Sequence, residues 1–173
     1  EPGEFLTLLG PSGSGKTTTL MMIAGFEMQT RGTIRIDGRD IANQPPEKRN
    51  FGIVFQGYAL FPHMNVLENV AFPLRMKGAG TRERHAKARE MLEKVGLETF
   101  ASRRPSELSG GQQQRGALAR ALVFDPDALL LDEPLGALDR KLREQLQIEI
   151  KELQKRMGIS VLLVKNDQEE AMM

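Results

Sequence analysis

Apolar positions along this chain fall in two periods, and the periods alternate. Phe5-Leu6-Thr7-Leu8-Leu9 is a short apolar run that stops at Gly10. From Lys16 onward, Leu20, Ile23 and Ala24 share one helical face, and Gly25 is placed to end that helix. Gly32-Thr33-Ile34-Arg35-Ile36-Asp37-Gly38 alternates apolar and polar residues between glycines, which predicts a half-exposed strand. Pro45-Pro46 marks a loop, and Phe51-Gly52-Ile53-Val54-Phe55 predicts a buried strand that ends on Gln56.

The pattern turns helical over residues 57–125. Asn65 with Glu68 reads as a capping box ahead of Leu67, Val70, Ala71 and Leu74. A second helix over residues 81–95 carries Ala88, Met91, Leu92 and Val95 on one face, with Glu83–Lys87 and Glu90–Lys94 spaced for ion pairs, until Gly96 stops it. Ser109 and Gln112 form another capping box before Leu118, Ala121 and Leu122, and Asp125-Pro126 ends that helix. Strand and helix then alternate again. Ala128-Leu129-Leu130-Leu131 is a buried strand running into Asp132-Glu133. A stripe of Leu142, Leu146, Ile150, Leu153 and Met157 predicts a long helix closed by Gly158. Ser160 to Val164 is the last buried strand, and residues 167–170 look like the first turn of a helix. The expected class is α/β with a parallel sheet and one domain over residues 1–173. Segments 1–56 and 126–173 build the core, and 57–125 form a helical insert.

Composition narrows the picture by exclusion. Lys and Arg total 24 against 23 Asp and Glu, so net charge +1 gives no electrostatic case for a nucleic-acid partner. The absence of cysteine removes disulfides and thiolate metal sites. No apolar run nears the ~20 residues of a membrane span, and no signal peptide is read at the start, so a cytoplasmic location is expected. A membrane role would then pass through a partner that spans the bilayer.

The candidate chemistry sits at strand ends. Gly10-Pro11-Ser12-Gly13-Ser14-Gly15-Lys16-Thr17, with Thr18 behind it, matches the phosphate-cradling P-loop in its strand–loop–helix setting. Its glycines let successive N–H groups converge on a polyphosphate, at the positive end of the following helix. In that pattern Lys16 neutralises β- and γ-phosphate charge, and the Thr17 hydroxyl binds Mg²⁺. Asp132 and Glu133 end a hydrophobic strand. In a P-loop protein the first holds Mg²⁺ through its water shell and the second polarises an attacking water; read alone, the pair is a solvated strand end. Leu108-Ser109-Gly110-Gly111-Gln112 is either an ordinary N-cap or a second backbone nest for an oxyanion. Gln56, at a strand tip, is either a metal- or water-reaching group or a surface residue.

Taken together, these stretches resemble the ATP-binding cassette ATPases, the nucleotide-binding subunits of ABC transporters, over essentially the whole chain. The resemblance implies a RecA-like P-loop NTPase core with the inserted helical subdomain of that family. It makes residues 10–17 the Walker A loop, Gln56 the Q-loop residue, and Ser109, Gly110, Gly111 and Gln112 the signature. Asp132 becomes the Walker B acid, Glu133 the catalytic base, and Asp139 part of the D-loop Ala137-Leu138-Asp139. It implies ATP and Mg²⁺ as ligands, and a pair of cassettes in which each signature caps the nucleotide of the opposite Walker A. The segment Phe55-Gln56-Gly57-Tyr58-Ala59-Leu60-Phe61-Pro62-His63-Met64 looks like importer cassettes, with the spermidine/putrescine type nearest. That implies transmembrane permease subunits as partners, a periplasmic solute-binding protein acting through them, and a peripheral position on the cytoplasmic face of the membrane. Tyr58, Leu60 and Phe61 either meet such a partner or belong to the core.

The chain departs from the family pattern where a switch histidine is expected. It reads Val164-Lys165-Asn166-Asp167, so Asn166 holds that position. His63 and His85 lie on other segments and read as surface or interface residues. Gly116 replaces an apolar residue in the signature helix, at roughly 1 kcal/mol of helix propensity. Relative to the family, the resemblance implies a core clipped at both ends. An alternative reading follows from Asn166: an ATP-gated dimerisation module that hydrolyses poorly. Soluble ABC ATPases of DNA repair or translation are excluded by the shortness of the helical insert.

Overall fold

Four apolar runs build one parallel sheet in the computed structural model, which describes residues 3–36, 38–134 and 140–165, by backbone alone at 140–143, 145 and 146. The strands are β1 (Phe5–Leu8), β4 (Phe51–Val54), β5 (Ala128–Asp132) and β6 (Ser160–Val164), in the order β1-β6-β5-β4. All three pairings are parallel, and the register aligns Val54 with Leu131, Asp132 with Val164, and Leu8 with Val164. The C-terminal strand ends therefore lie along one edge.

Side chains alternate across that sheet. Leu130 and Val164 face α1 (Lys16–Ala24), where they pack with Leu20 and Ala24. Leu129, Leu131, Val161 and Leu163 face the other way, toward α4 (Gly110–Leu122) and α5 (Arg140–Met157), in a cluster with Leu122, Ile150 and Leu153. Both faces are covered, as a parallel sheet requires. Of the apolar stripe expected along α5, Ile150 and Leu153 are buried, while the side chains of Leu142 and Leu146 lie outside the described residues.

The helical insert holds α2 (Val66–Met76), α3 (Thr81–Lys94) and α4, with α2 packed on both of the others. The expected capping boxes form at Asn65–Glu68 and Ser109–Gln112. The Glu83–Lys87 and Glu90–Lys94 pairs close at 3.6 and 2.9 Å. α2 continues through Pro73, which the apolar spacing alone did not reveal.

The stretch over residues 32–38 differs from expectation. Only Arg35–Ile36 forms a strand, β2, paired antiparallel with β3 (Arg39–Asp40). One further bond, from Ile41 N–H to the Ile34 carbonyl at 2.8 Å, continues the pairing; the chain then turns away, with Ala42 N–H donating to Asp40 Oδ1 at 2.9 Å and Gln44 N–H to the Ile41 carbonyl at 2.9 Å. The proposed helical turn at residues 167–170 lies outside the described residues.

Candidate functional site

Every sequence-predicted group among the described residues, apart from the Ser109–Gln112 turn, stands at the C-terminal edge of the sheet, where ligands of open α/β sheets bind. The loop after β1 turns on Gly13 and Gly15, both left-handed at φ 79° and 87°, which glycine adopts without steric cost. Gly15 caps α1 and no side chain bonds the helix start, so its first-turn N–H groups face the loop uncapped by any side chain. Lys16 bends back over the loop, its Nζ donating to the Pro11 carbonyl at 2.7 Å and to Ser14 Oγ at 3.3 Å. The uncapped helix start and the Lys16 ammonium thus stand at the same loop.

The adjoining strand supplies a carboxylate. Thr17 Oγ1 donates to Asp132 Oδ1 at 3.0 Å, joining groups 115 residues apart, and Asp132 is 8% exposed. A hydroxyl oxygen beside a mostly buried carboxylate oxygen is the donor chemistry a hard cation takes, so these residues fit Mg²⁺ bound with a polyphosphate. Glu133 follows in the left-handed region at φ 43°, with its N–H donating to the Val164 carbonyl at 3.1 Å. A non-glycine residue held there costs about 1–3 kcal/mol, so the packing between β5 and β6 imposes Glu133's orientation against its own preference.

Gln56 lies two residues past the end of β4, the strand paired in parallel with β5, so it leaves the same edge of the sheet as Asp132. It is exposed, and the three residues behind it, Gly57, Tyr58 and Ala59, are all left-handed at φ 83°, 63° and 48°. At the far side of the sheet, Lys165 N–H donates to the Leu8 carbonyl at 3.0 Å, which brings the end of β6 beside the start of the loop. Asn166 and Asp139 lie outside the described residues.

The Ser-Gly-Gly turn is built differently. Ser109 Oγ accepts from Gln112 N–H at 3.3 Å and Gln112 Oε1 accepts from Ser109 N–H at 2.9 Å, so the cap engages both side-chain acceptors and leaves the Ser109 hydroxyl and Gln112 amide donors out of it. Among the described residues no hydrogen bond joins this turn to the loop at residues 10–17. Tyr58 is buried, and Leu60 and Phe61 are half-buried, so the core reading holds best for Tyr58. His63 and His85 line a separate cleft of about 340 Å³ with Phe72, Arg75 and Arg84, on the surface of the helical insert. Two residues that hold the segment after Gln56, Asn69 and Arg120, were not legible as site residues. They sit on helices, and only the folded structure aims them at that loop.

Comparison with known proteins finds relatives over nearly the whole chain. The ABC transporter family model matches residues 1–136. The chain is 58% identical over 170 residues to the uncharacterized ABC transporter ATP-binding protein YdcT of Escherichia coli (strain K12), covering 98% of this chain and 50% of that protein. It is 60% identical over 171 residues to the spermidine/putrescine import ATP-binding protein PotA of Frankia alni, covering 99% of this chain and 37% of that one. The chain thus spans half or less of the length of these relatives. Among solved structures, the post-hydrolysis dimer of the ATP-binding cassette MJ0796 bound to ADP and Pi matches with a TM-score of 0.79 at 39% identity. That match covers 95% of this chain and 75% of the other.

Proposed function

Because this chain belongs to the ABC transporter family, we propose that it is the ATP-binding and ATP-hydrolysing cassette of an importer, with a polyamine as the solute class. The observation that carries this reading is the Thr17–Asp132 hydrogen bond at 3.0 Å, which brings the phosphate loop and the strand carboxylate together. Mg²⁺, when bound, supplies positive charge beside the terminal phosphates. Thr17, Asp132 and Gln56 hold it. Lys16 and the backbone N–H groups of the loop from Ser12 to Thr18 hold the phosphates, and Glu133 orients the attacking water. Ser109, Gly110, Gly111 and Gln112, with Asp139, complete the site of a second copy. The core comprises residues 1–56 and 126–173, and the helical subdomain residues 57–125. Hydrolysis reopens the pair, and transmembrane subunits turn that motion into solute import at the cytoplasmic face. The relatives named for spermidine/putrescine import support the polyamine assignment.

The separation of the two nests supports pairing. A turn that shares no hydrogen bond with the phosphate loop of its own chain is available to cap the loop of another. Glu133→Gln removes the base and lowers repulsion at the γ-phosphate, so this variant is expected to elute as a dimer with MgATP and as a monomer without it. Size-exclusion chromatography reads this directly; a monomer under both conditions rejects the paired mechanism. A second reading rests on Asn166 in place of the family's switch histidine: the same ATP-gated pairing with slow hydrolysis.

A further inference from the structure

The chain behind Gln56 holds a backbone conformation that its own residues do not favour. Tyr58 and Ala59 both lie in the left-handed region, at φ 63° and 48°, immediately after left-handed Gly57. Local bonds run from Tyr58 N–H to the Phe55 carbonyl at 3.1 Å and from Ala59 N–H to the Gly57 carbonyl at 2.7 Å. Both outward carbonyls are taken by one side chain: Arg120 donates from Nη1 to Ala59 O at 2.8 Å and from Nη2 to Tyr58 O at 3.1 Å. Its guanidinium also lies 5.2 Å from the centre of the Phe61 ring. Beyond the turn, Asn69 on α2 closes the segment by accepting from Phe61 N–H at 2.8 Å and donating to Phe61 O at 3.1 Å. Between the end of β4 and that closure, Arg120 is the described side chain that grips the backbone. Gln56 is exposed, so its aim is set by the turn behind it.

Arg120 belongs to the last turn of α4, whose first turn carries Ser109 to Gln112. A 13-residue helix is a stiff rod of about 20 Å. We propose that Arg120 is a positioning residue for Gln56, a two-pronged clamp by which the helix bearing the Ser-Gly-Gly turn fixes the aim of the metal-side glutamine. The inference rests on the reading of Gln56 as a group that reaches Mg²⁺. Arginine suits the task because its planar fork bonds two carbonyls at once, which an ammonium cannot do. A displacement of α4 against the sheet necessarily pulls on residues 58 and 59, and Gln56 sits only two residues ahead.

The test compares ATP binding by the full chain in EDTA and in Mg²⁺, using the factor by which the metal tightens binding. Arg120→Ala is expected to cut that factor about 10-fold, the usual scale for losing a group that orients a metal ligand, and to leave binding in EDTA unchanged. Arg120→Lys should retain part of the factor. In a Gln56→Ala background, Arg120→Ala should cause no further loss. Ala59→Gly should restore part of what Arg120→Ala removes, because glycine holds a left-handed turn without a clamp. If Arg120→Ala alone does not fold, the Arg120→Lys and Arg120→Ala/Ala59→Gly pair carry the same comparison. An unchanged metal factor, or a loss that persists without Gln56, overturns the proposal while leaving the ATP site standing. Absence of ATP binding by the unaltered chain defeats the ATP site itself, and the clamp with it.

Discussion

At the scale of single residues, the site depends on side chains fixed by neighbours distant in sequence. Asp132 is 8% exposed and accepts the Thr17 hydroxyl, so its carboxylate is held in one place before any ligand arrives. Glu133 is aimed by a backbone angle that its residue type disfavours. The end of β6 is pinned by the Lys165–Leu8 bond, one residue ahead of Asn166. If the family's histidine acts from that position by bonding the γ-phosphate, asparagine falls short of it and offers only a neutral amide. Loss of one preorganised donor lowers turnover by ~10²–10³, about 3–4 kcal/mol of barrier. Asn166→His is therefore expected to raise steady-state phosphate release by a factor in that range, with MgATP affinity little changed. Equal rates in the two forms would mean that Asn166 is not a defect.

At the scale of elements, the phosphate-loop helix is secured at its far end. Arg49 is 4% exposed and gives its guanidinium to four carbonyls: Met22 and Ile23 at the end of α1, and Gln44 and Ala42 in the loop that follows β3. Burial draws its pKa below the ordinary arginine value, yet the group stays charged. Positive charge there also complements the negative end of the α1 dipole. Gly25 makes room for it, since a Cβ at that position would lie 2.6 Å from Arg49 Nε. Arg49→Met removes four bonds, among them the buried one to the Ala42 carbonyl, and should cost roughly 3 kcal/mol, seen as a lower urea midpoint at unchanged slope; an unaltered midpoint would show that the guanidinium carries no net stabilisation. Nothing in the sequence marks Arg49 for this role, because its partners are backbone atoms brought together by tertiary folding. The same holds for Gly52, where a Cβ would collide with the Ala121 carbonyl as α4 crosses β4. Helix caps were legible because their partners lie three residues apart. The β2–β3 hairpin was overextended because alternation shows a strand's faces and not its pairing length.

At the scale of the molecule, the sheet order carries the functional geometry. Three parallel pairings put the phosphate loop, Gln56, Asp132, Glu133 and the end of β6 along one edge. The strands and their terminal acids could be read from hydrophobic runs, but their order could not, since runs of buried residues look alike whichever neighbour they pair with. The Ser109–Gln112 turn starts a helix packed on α2, α3 and β4; its capping box was legible in the sequence, but where that helix packs was not. The central claim is that residues 10–17 and Asp132 form an MgATP site in which Lys16 supplies the loop's fixed positive charge. Calorimetric titration of MgATP into the chain and into Lys16→Ala tests it most directly. Saturable binding to the former and its loss in the latter is the predicted result; equal affinity in both would contradict the assignment.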